Sequence, residues 1–363
     1  MAGEVKMLLV GAGASGAAGM VWLWLKSRRQ AAAKREDLRR GKAQLKLLPI
    51  ETGAMMMSSP SSGTISTITF FNGSGEDASA WIRRRLAEVL VANPWLDGRL
   101  DTADGGETVL LYHKDTPVEG DALPAMFFRM QRPGEGGASI SRGMPYENVA
   151  EALAAAGLLV KLGNDSVGRD EPLFKVALLL DAERPADRFA LAVSMNHMLG
   201  DGHTFYAVHN MLSKNAPVVA LNPERSIAAP LAIESAMGGN PNACMISSPP
   251  VGFILKFVTG IILSKLLGPR TTTAMYFIED AWVAREKSSA ASSSPGVEFV
   301  STNDVVTSAF LRATRADLAL MAVNFRGRVA EVDGSHAGNY ENVIQYRPED
   351  YASPALIRQS VTP

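Results

Sequence analysis

The chain holds a single cysteine, Cys244, among 363 residues. One thiol excludes an intramolecular disulfide and any metal site built from cysteines. It fits a reducing compartment. Net charge is almost absent as well: 36 Lys+Arg stand against 37 Asp+Glu. Without a basic excess there is no global electrostatic footprint for nucleic acid. No internal repeat is found. What is present is apolar: 47% of residues are hydrophobic and 20% charged, which supports a packed core and excludes wholesale disorder. The length exceeds one ordinary domain and suits two, or one large α/β unit.

Charge is also missing locally. Met7 to Leu25 is a 19-residue run without a charged side chain, at the lower end of what spans a bilayer. Trp22 and Trp24 close it, as interfacial aromatics do. Seven basic residues follow between Lys26 and Arg40, against Lys6 alone before the run. That asymmetry keeps the C-terminal side cytoplasmic. The expectation is a membrane anchor over residues 1–26 and a basic helical linker over 27–48. A cleaved signal peptide would carry its basic region ahead of the apolar run. A plastid transit peptide stays open, because the region is rich in Ala and poor in acids. Within the run, Gly11-Ala12-Gly13-Ala14-Ser15-Gly16 matches a dinucleotide fingerprint. That motif needs a second strand and an acidic residue about 20 positions on, and a basic helical stretch follows instead.

After Pro49 the pattern is globular α/β. Thr64–Phe71 is β-branched and aromatic, which predicts a strand. Ala78–Ala92 is helical, with Ile82, Leu86, Val89 and Leu90 on one face, and Asn93-Pro94 stops it. Pro145–Leu159 is a second helix with Val149, Leu153 and Ala156 in phase. Leu173–Leu180 predicts a buried strand. Residues 216–250 show many Pro, Asn and Ser and no clear period, as expected of a crossover. Val251–Gly268 is apolar nearly all round, so it is either deeply buried or membrane-associated; periodicity does not separate the two. Ser288–Pro295 is a surface loop by composition.

The informative stretch is Phe189–Gly202. Phe189, Leu191, Val193 and Met195 are large and apolar, while Ala190, Ala192, Ser194 and Asn196 are small or polar, a strand of period two. His197 continues the large parity at the strand's end. A turn with Gly200 and Gly202 leads into a helix carrying Phe205, Val208, Met211 and Leu212 on one face. The blander account is open too: a hydrogen-bonded interior histidine, Asp201 as a helix cap and Gly202 as a turn residue. Chance alone yields about 0.02 matches to His-x-x-x-Asp-Gly in such a chain. A neutral imidazole suits general-base work near neutral pH. No cysteine or serine-elbow nucleophile is evident. His203 and His209 lie about 240° apart around a helix and do not readily share a metal.

His197-Met198-Leu199-Gly200-Asp201-Gly202 resembles the signature of the coenzyme-A-dependent acyltransferases with the chloramphenicol acetyltransferase fold, and among them the BAHD type. Other segments resemble the same family in the same order. They are Asn93-Pro94-Trp95-Leu96-Asp97-Gly98-Arg99-Leu100, Glu171-Pro172-Leu173-Phe174, Ser301-Thr302-Asn303-Asp304, Val323-Asn324-Phe325-Arg326-Gly327-Arg328 and Gly338-Asn339. Together they cover roughly residues 49 to 345. Asn196 replaces the first of two adjacent histidines found in many relatives. The family's Asp-Phe-Gly-Trp-Gly loop is absent.

The resemblance implies a two-lobe α/β fold of mixed sheets flanked by helices. A first lobe is expected over 49–215, a crossover over 216–270 and a partial second lobe over 271–363. Without residues 1 to 42, 321 remain, short of two lobes of roughly 200 residues each, so an incomplete second lobe is expected. The resemblance further implies acyl transfer from acyl-CoA, used as co-substrate, to a small-molecule or lipid alcohol or amine. No tightly bound cofactor, metal or nucleic acid is implied, and a monomer is expected. His197 would be the general base. Asp201 would pair with an arginine to hold the histidine loop, with Arg326 the candidate and Gly202 shaping the turn. Ser301-x-x-Asp304 fits a helix capping box; a place for Ser301 and Thr302 near the pantetheine arm rests on the resemblance alone. Two alternatives stay open: a lipid acyltransferase resembling wax ester synthase/diacylglycerol acyltransferase, and a non-catalytic or truncated relative. Localisation is expected at a membrane, the endoplasmic reticulum facing the cytosol or the plastid.

Overall fold

Strand β7 (Arg188–Asn196) is the spine of the first half of the chain. It pairs antiparallel with β2 (Thr64–Asn72), Thr64 opposite Asn196, and antiparallel with β6 (Phe174–Leu180), Phe174 opposite Met195. β5 (Phe128–Gln131) adds parallel to β6, which completes a sheet ordered β2-β7-β6-β5. These contacts come from a computed structural model that describes residue 26 and residues 36–55, 63–114, 126–135, 138–238, 243–244, 251–267, 278–293 and 297–361.

The alternation along β7 is a two-sided packing device. Phe189, Leu191, Val193 and Met195 enter the main core with helix α1 (Gly75–Ala92), whose Ile82, Leu86, Val89 and Leu90 face them. The small Ala190 and Ala192 let a second layer close on the other face, where Val149 and Leu153 of α2 (Tyr146–Ala155) meet them. Helix α1 is capped by Ser74, whose side chain accepts from Asp77 N. It starts pressed against β6: a Cβ on Gly75 would lie 2.1 Å from Leu180 Cδ2. At its other end the buried Asn93 amide donates to Val89 O and Val219 O and accepts from Leu221 N. A side chain is thus spent on tying the helix stop to a segment more than 120 residues away.

A smaller sheet ordered β1-β4-β3 joins β1 (Ala43–Lys46), β4 (Thr108–Tyr112) and β3 (Arg99–Thr102). Residues 43–46 fall in the expected helical linker but form a strand, because Leu45 and Leu47 are buried in the main core. A π-helical turn, Glu51–Met55, follows. Helix α3 (Gly202–Met211) comes directly after β7 and buries Phe205, Val208 and Met211.

Residues 216–250 contain a helix the sequence pattern concealed, α4 (Ala229–Met237), with Pro230 in its first turn. Its stripe is only Ala229, Ile233 and Met237, too short to register as a period. The second half adds α5 (Val251–Leu267), α6 (Asp280–Ser293), α7 (Thr302–Thr314) and α8 (Pro354–Val361). Its sheet is ordered β8-β10-β9 from β8 (Ala243–Cys244), β10 (Glu341–Tyr346) and β9 (Ala319–Asn324). Its own core gathers Ile233, Met237, Leu311, Val323, Phe325, Ile344 and Tyr346.

The expected loop at Ser288 is wrong over most of its length: α6 runs to Ser293. Tertiary burial overrides composition here. Ala290 packs with Val297, Val300 and Val305, and Ser288 Oγ donates back to Ala284 O. Helix α5 forms where expected, and its described side chains are exposed: Leu255 by 64% and Leu266 by 74%. Deep burial of this segment is therefore excluded. Among the described residues no helix is long and apolar enough to cross a membrane. The anchor segment Met7–Leu25 and residues 27–35 of the basic stretch lie outside the described residues.

Candidate active site

The site is built at the end of β7. Asn196, fully buried, donates from Nδ2 to Lys161 O and accepts at Oδ1 from Met198 N. Its amide therefore pins the start of the turn that carries His197. The half-buried His197 is held by its backbone N, which donates to Gly63 O at 3.0 Å, and by its ring, where Nδ1 lies 2.9 Å from Asn339 Oδ1. Among the described residues, Nε2 has no hydrogen-bond partner.

Asp201 performs two roles at once. As N-cap of α3, its Oδ1 accepts from Thr204 N at 3.0 Å. Its Oδ2 accepts from Arg326 Nη1 at 2.7 Å and from Tyr340 N at 3.0 Å. The pair is buried, both side chains being 2% exposed. Arg326 is thus no solvated surface arginine. Its guanidinium also donates to Asn324 Oδ1, His336 O, Thr204 Oγ1 and Gly338 O, so all five N–H groups are used. The Tyr340 ring lies 5.0 Å from its carbon. The close approach in the turn falls at Gly200 rather than Gly202: a Cβ at Gly200 would lie 2.6 Å from the Thr204 side chain, while one at Gly202 meets nothing within 4 Å.

Ser301 caps α7. Its Oγ accepts from Asp304 N and its own N donates to Asp304 Oδ2, a complete capping box. Thr302 is the helix's first residue. Ser301 also lines a polar cleft of about 420 Å³ shared with Asn324, Arg326, Arg328 and Arg358. The structure therefore joins Ser301 to Arg326 along one wall, and Arg326 to the His197 loop.

Three residues of the site escaped sequence reasoning as its builders: Glu51, Arg225 and, in its side-chain contact with the histidine, Asn339. Glu51 and Arg225 form a buried ion pair at 3.0 Å, 0% and 1% exposed, and Asn339 Nδ2 donates to Glu51 Oε1. Beside Asn339 opens a cavity of about 220 Å³ lined by Pro49, Ile50, Pro230, Ile233 and Glu341 among others. Burial pushes the Glu341 carboxyl up and the Asp201 charge adds to the push, while His197 and Arg326 oppose it. Among the described residues no group of three or more His, Cys, Asp or Glu could hold a metal ion.

No family model and no curated protein matches the chain. Solved structures do. One is F. graminearum TRI101 complexed with ethyl coenzyme A, at 14% identity and TM-score 0.50, covering 88% of this chain and 75% of that one. A second is the first condensation domain of the CDA synthetase, at 15% identity and TM-score 0.51, covering 89% and 73%. A third is the first condensation domain of the calcium-dependent antibiotic synthetase with a substrate analogue, at 14% identity and TM-score 0.52, covering 88% and 74%. The chain shares their fold. The mixed sheets flanked by helices expected from the sequence agree with it.

Proposed function

We propose that the chain is an acyltransferase that moves an acyl group from acyl-CoA to a hydroxyl or amine acceptor, with His197 as general base. One observation carries the reading: a half-buried histidine, held through its Nδ1 on a loop locked by a buried aspartate–arginine pair, with Nε2 unpartnered among the described residues. In this scheme Nε2 takes the acceptor's proton as its oxygen or nitrogen attacks the thioester carbonyl. The tetrahedral intermediate collapses, the C–S bond breaks, and the same proton passes to the departing coenzyme A sulfur. General-base assistance of this kind contributes about 10²–10⁴-fold. The cleft that Ser301 shares with Arg328 and Arg358 suits the anionic donor, and a fold shared with a protein solved with ethyl coenzyme A supports the same donor. The BAHD-type assignment rests on the ordered motifs of the sequence.

A second reading of the acceptor is favoured by α5. An apolar helix exposed on more than half its circumference fits a lipid surface, and at 17 residues it is about 26 Å long, short of a 30 Å hydrocarbon core. With the apolar run at Met7–Leu25, it supports placement at a membrane, on the cytosolic face of the endoplasmic reticulum or in the plastid. The acceptor would then be a long-chain alcohol or diacylglycerol.

The test is release of free coenzyme A thiol from acyl-CoA with phenolic alcohols, aliphatic amines, long-chain alcohols and diacylglycerol in vesicles. The expected outcome is acceptor-dependent thiol release that His197→Ala abolishes while circular dichroism stays unchanged. Full activity in that variant removes the assignment. Turnover with lipid acceptors alone selects the second reading.

A further inference from the structure

An imidazole acts as a base through one nitrogen at a time, and the partner of the other nitrogen decides which. At His197 that partner is the Asn339 side chain, whose direction is dictated by groups behind it. Asn339 Nδ2 faces Glu51 Oε1 at 3.0 Å and His197 O at 2.9 Å. A carboxylate and a backbone carbonyl only accept, so both amide hydrogens are committed and the amide cannot be turned round. Oδ1 is therefore the atom left facing His197 Nδ1, and an amide oxygen only accepts. Nδ1 must carry the hydrogen.

The groups behind Asn339 are fixed as firmly. Glu51 receives four donors: Leu48 N, Arg225 Nε, Asn339 N and Asn339 Nδ2. Arg225 in turn donates to Pro223 O, Ala337 O and Leu199 O. Leu199 lies in the turn that carries the histidine, so one buried ion pair braces both the ring's partner and the ring's own loop. Gly338 makes room for it. A Cβ there would lie 2.9 Å from Arg225 Nε, at a backbone φ of +133°.

We propose that Asn339, oriented by the buried Glu51–Arg225 pair, is a positioning residue that fixes His197 as its Nδ1–H tautomer and leaves the lone pair on Nε2. The consequence for rate rests on the acyl-transfer reading above; the tautomer itself does not. A reference of opposite sense sits nearby. At His203, Nε2 faces Gly334 O and Nδ1 faces Asn324 Nδ2. Asn324 Oδ1 is occupied by Arg326, so the same logic makes His203 the Nε2–H form.

The experiment is a two-bond ¹H–¹⁵N correlation spectrum of the full chain at a pH well above about 6.5, the ordinary histidine value. His197 is assigned by its loss in His197→Gln. The expected spectrum shows His197 with Nδ1 protonated and Nε2 bare, opposite to His203. An Nε2–H signal for His197 overturns the proposal outright, and this measurement needs no variant to fold. Asn339→Leu keeps the volume and removes the amide. It should shift the ring toward the Nε2–H form. It should also lower kcat by about 10- to 100-fold, the scale on which a histidine's outer partner acts at metal centres, with KM for acyl-CoA within about twofold. An unchanged tautomer in Asn339→Leu also overturns the proposal. A correct wild-type tautomer in a chain without transferase activity defeats the acyl-transfer reading and leaves the tautomer assignment standing.

Discussion

Replacing Arg326 by methionine tests the lock on the histidine loop. Methionine keeps the apolar stem and removes five donors at once. Asp201 Oδ2 would keep Tyr340 N as its sole remaining donor, and the carbonyls of His336 and Gly338 would each lose a partner. Breaking a buried ion pair from one side costs about 3–5 kcal/mol, because the surviving charge is left in a poorly solvated place. Total stability is about 5–15 kcal/mol. At about 2 °C per kcal/mol for a chain of this size, the melting temperature should fall by about 6 °C or more. Arg326→Lys should recover little, since three donors on one ammonium cannot reproduce the fork. The decisive variant is Asp201→Asn combined with Arg326→Met. With the charge gone from both sides, the double variant should be more stable than the summed single costs by about 0.5–3 kcal/mol. Thermal unfolding followed by circular dichroism reads all three. Strictly additive costs, or a shift below about 2 °C for Arg326→Met alone, would refute the reasoning.

Gly338→Ala should destabilise the protein and slow transfer together, because the new methyl both meets the Arg225 guanidinium and occupies a left-handed conformation; a wild-type melting curve would show that the loop gives way at no cost. Glu341→Gln reads the raised carboxyl. A native state that keeps its proton to higher pH than the unfolded chain loses stability as pH rises past the ordinary value of about 4.3. The glutamine variant should therefore show a flatter stability curve above that pH and a higher melting temperature at neutrality. Superimposable pH curves for the two proteins would refute the assignment.

What could be read in advance divides along a physical line. Features stored in adjacent residues were legible: the alternation of β7, the capping box Ser301-x-x-Asp304, and the cap offered by Asp201 ahead of α3. The ordered motifs also singled out Arg326 as Asp201's partner, 125 residues away. Residues that act only through distant contacts carried no local signal. Glu51 sits in an unremarkable Ile-Glu-Thr stretch and meets Asn339 across 288 positions. Arg225 lies in a Pro- and Ser-bearing crossover that looks like linker. Composition misled at Ser288, where packing of Ala290 outweighs the preference of serine for loops, and at residues 43–46, where basic neighbours hid a buried Leu45. Apolar periodicity left α5 ambiguous, since a helix apolar all round reads the same whether it lies in a core or at a surface.

The seam that holds His197 also sets a clock. The histidine and the asparagine that orients it are 142 positions apart. At about 5–20 residues per second, roughly 7–30 s of synthesis separate them. Until Asn339 has emerged and docked, the nascent first half presents a histidine whose ring is free to choose either tautomer and whose loop lacks its arginine. If His197 is the base proposed above, the chain is silent while half made, and the base is assembled by the closing of the fold itself. The same wiring holds in reverse: partial separation of the two halves, short of global unfolding, would release the His197 ring from Asn339 while most secondary structure survives.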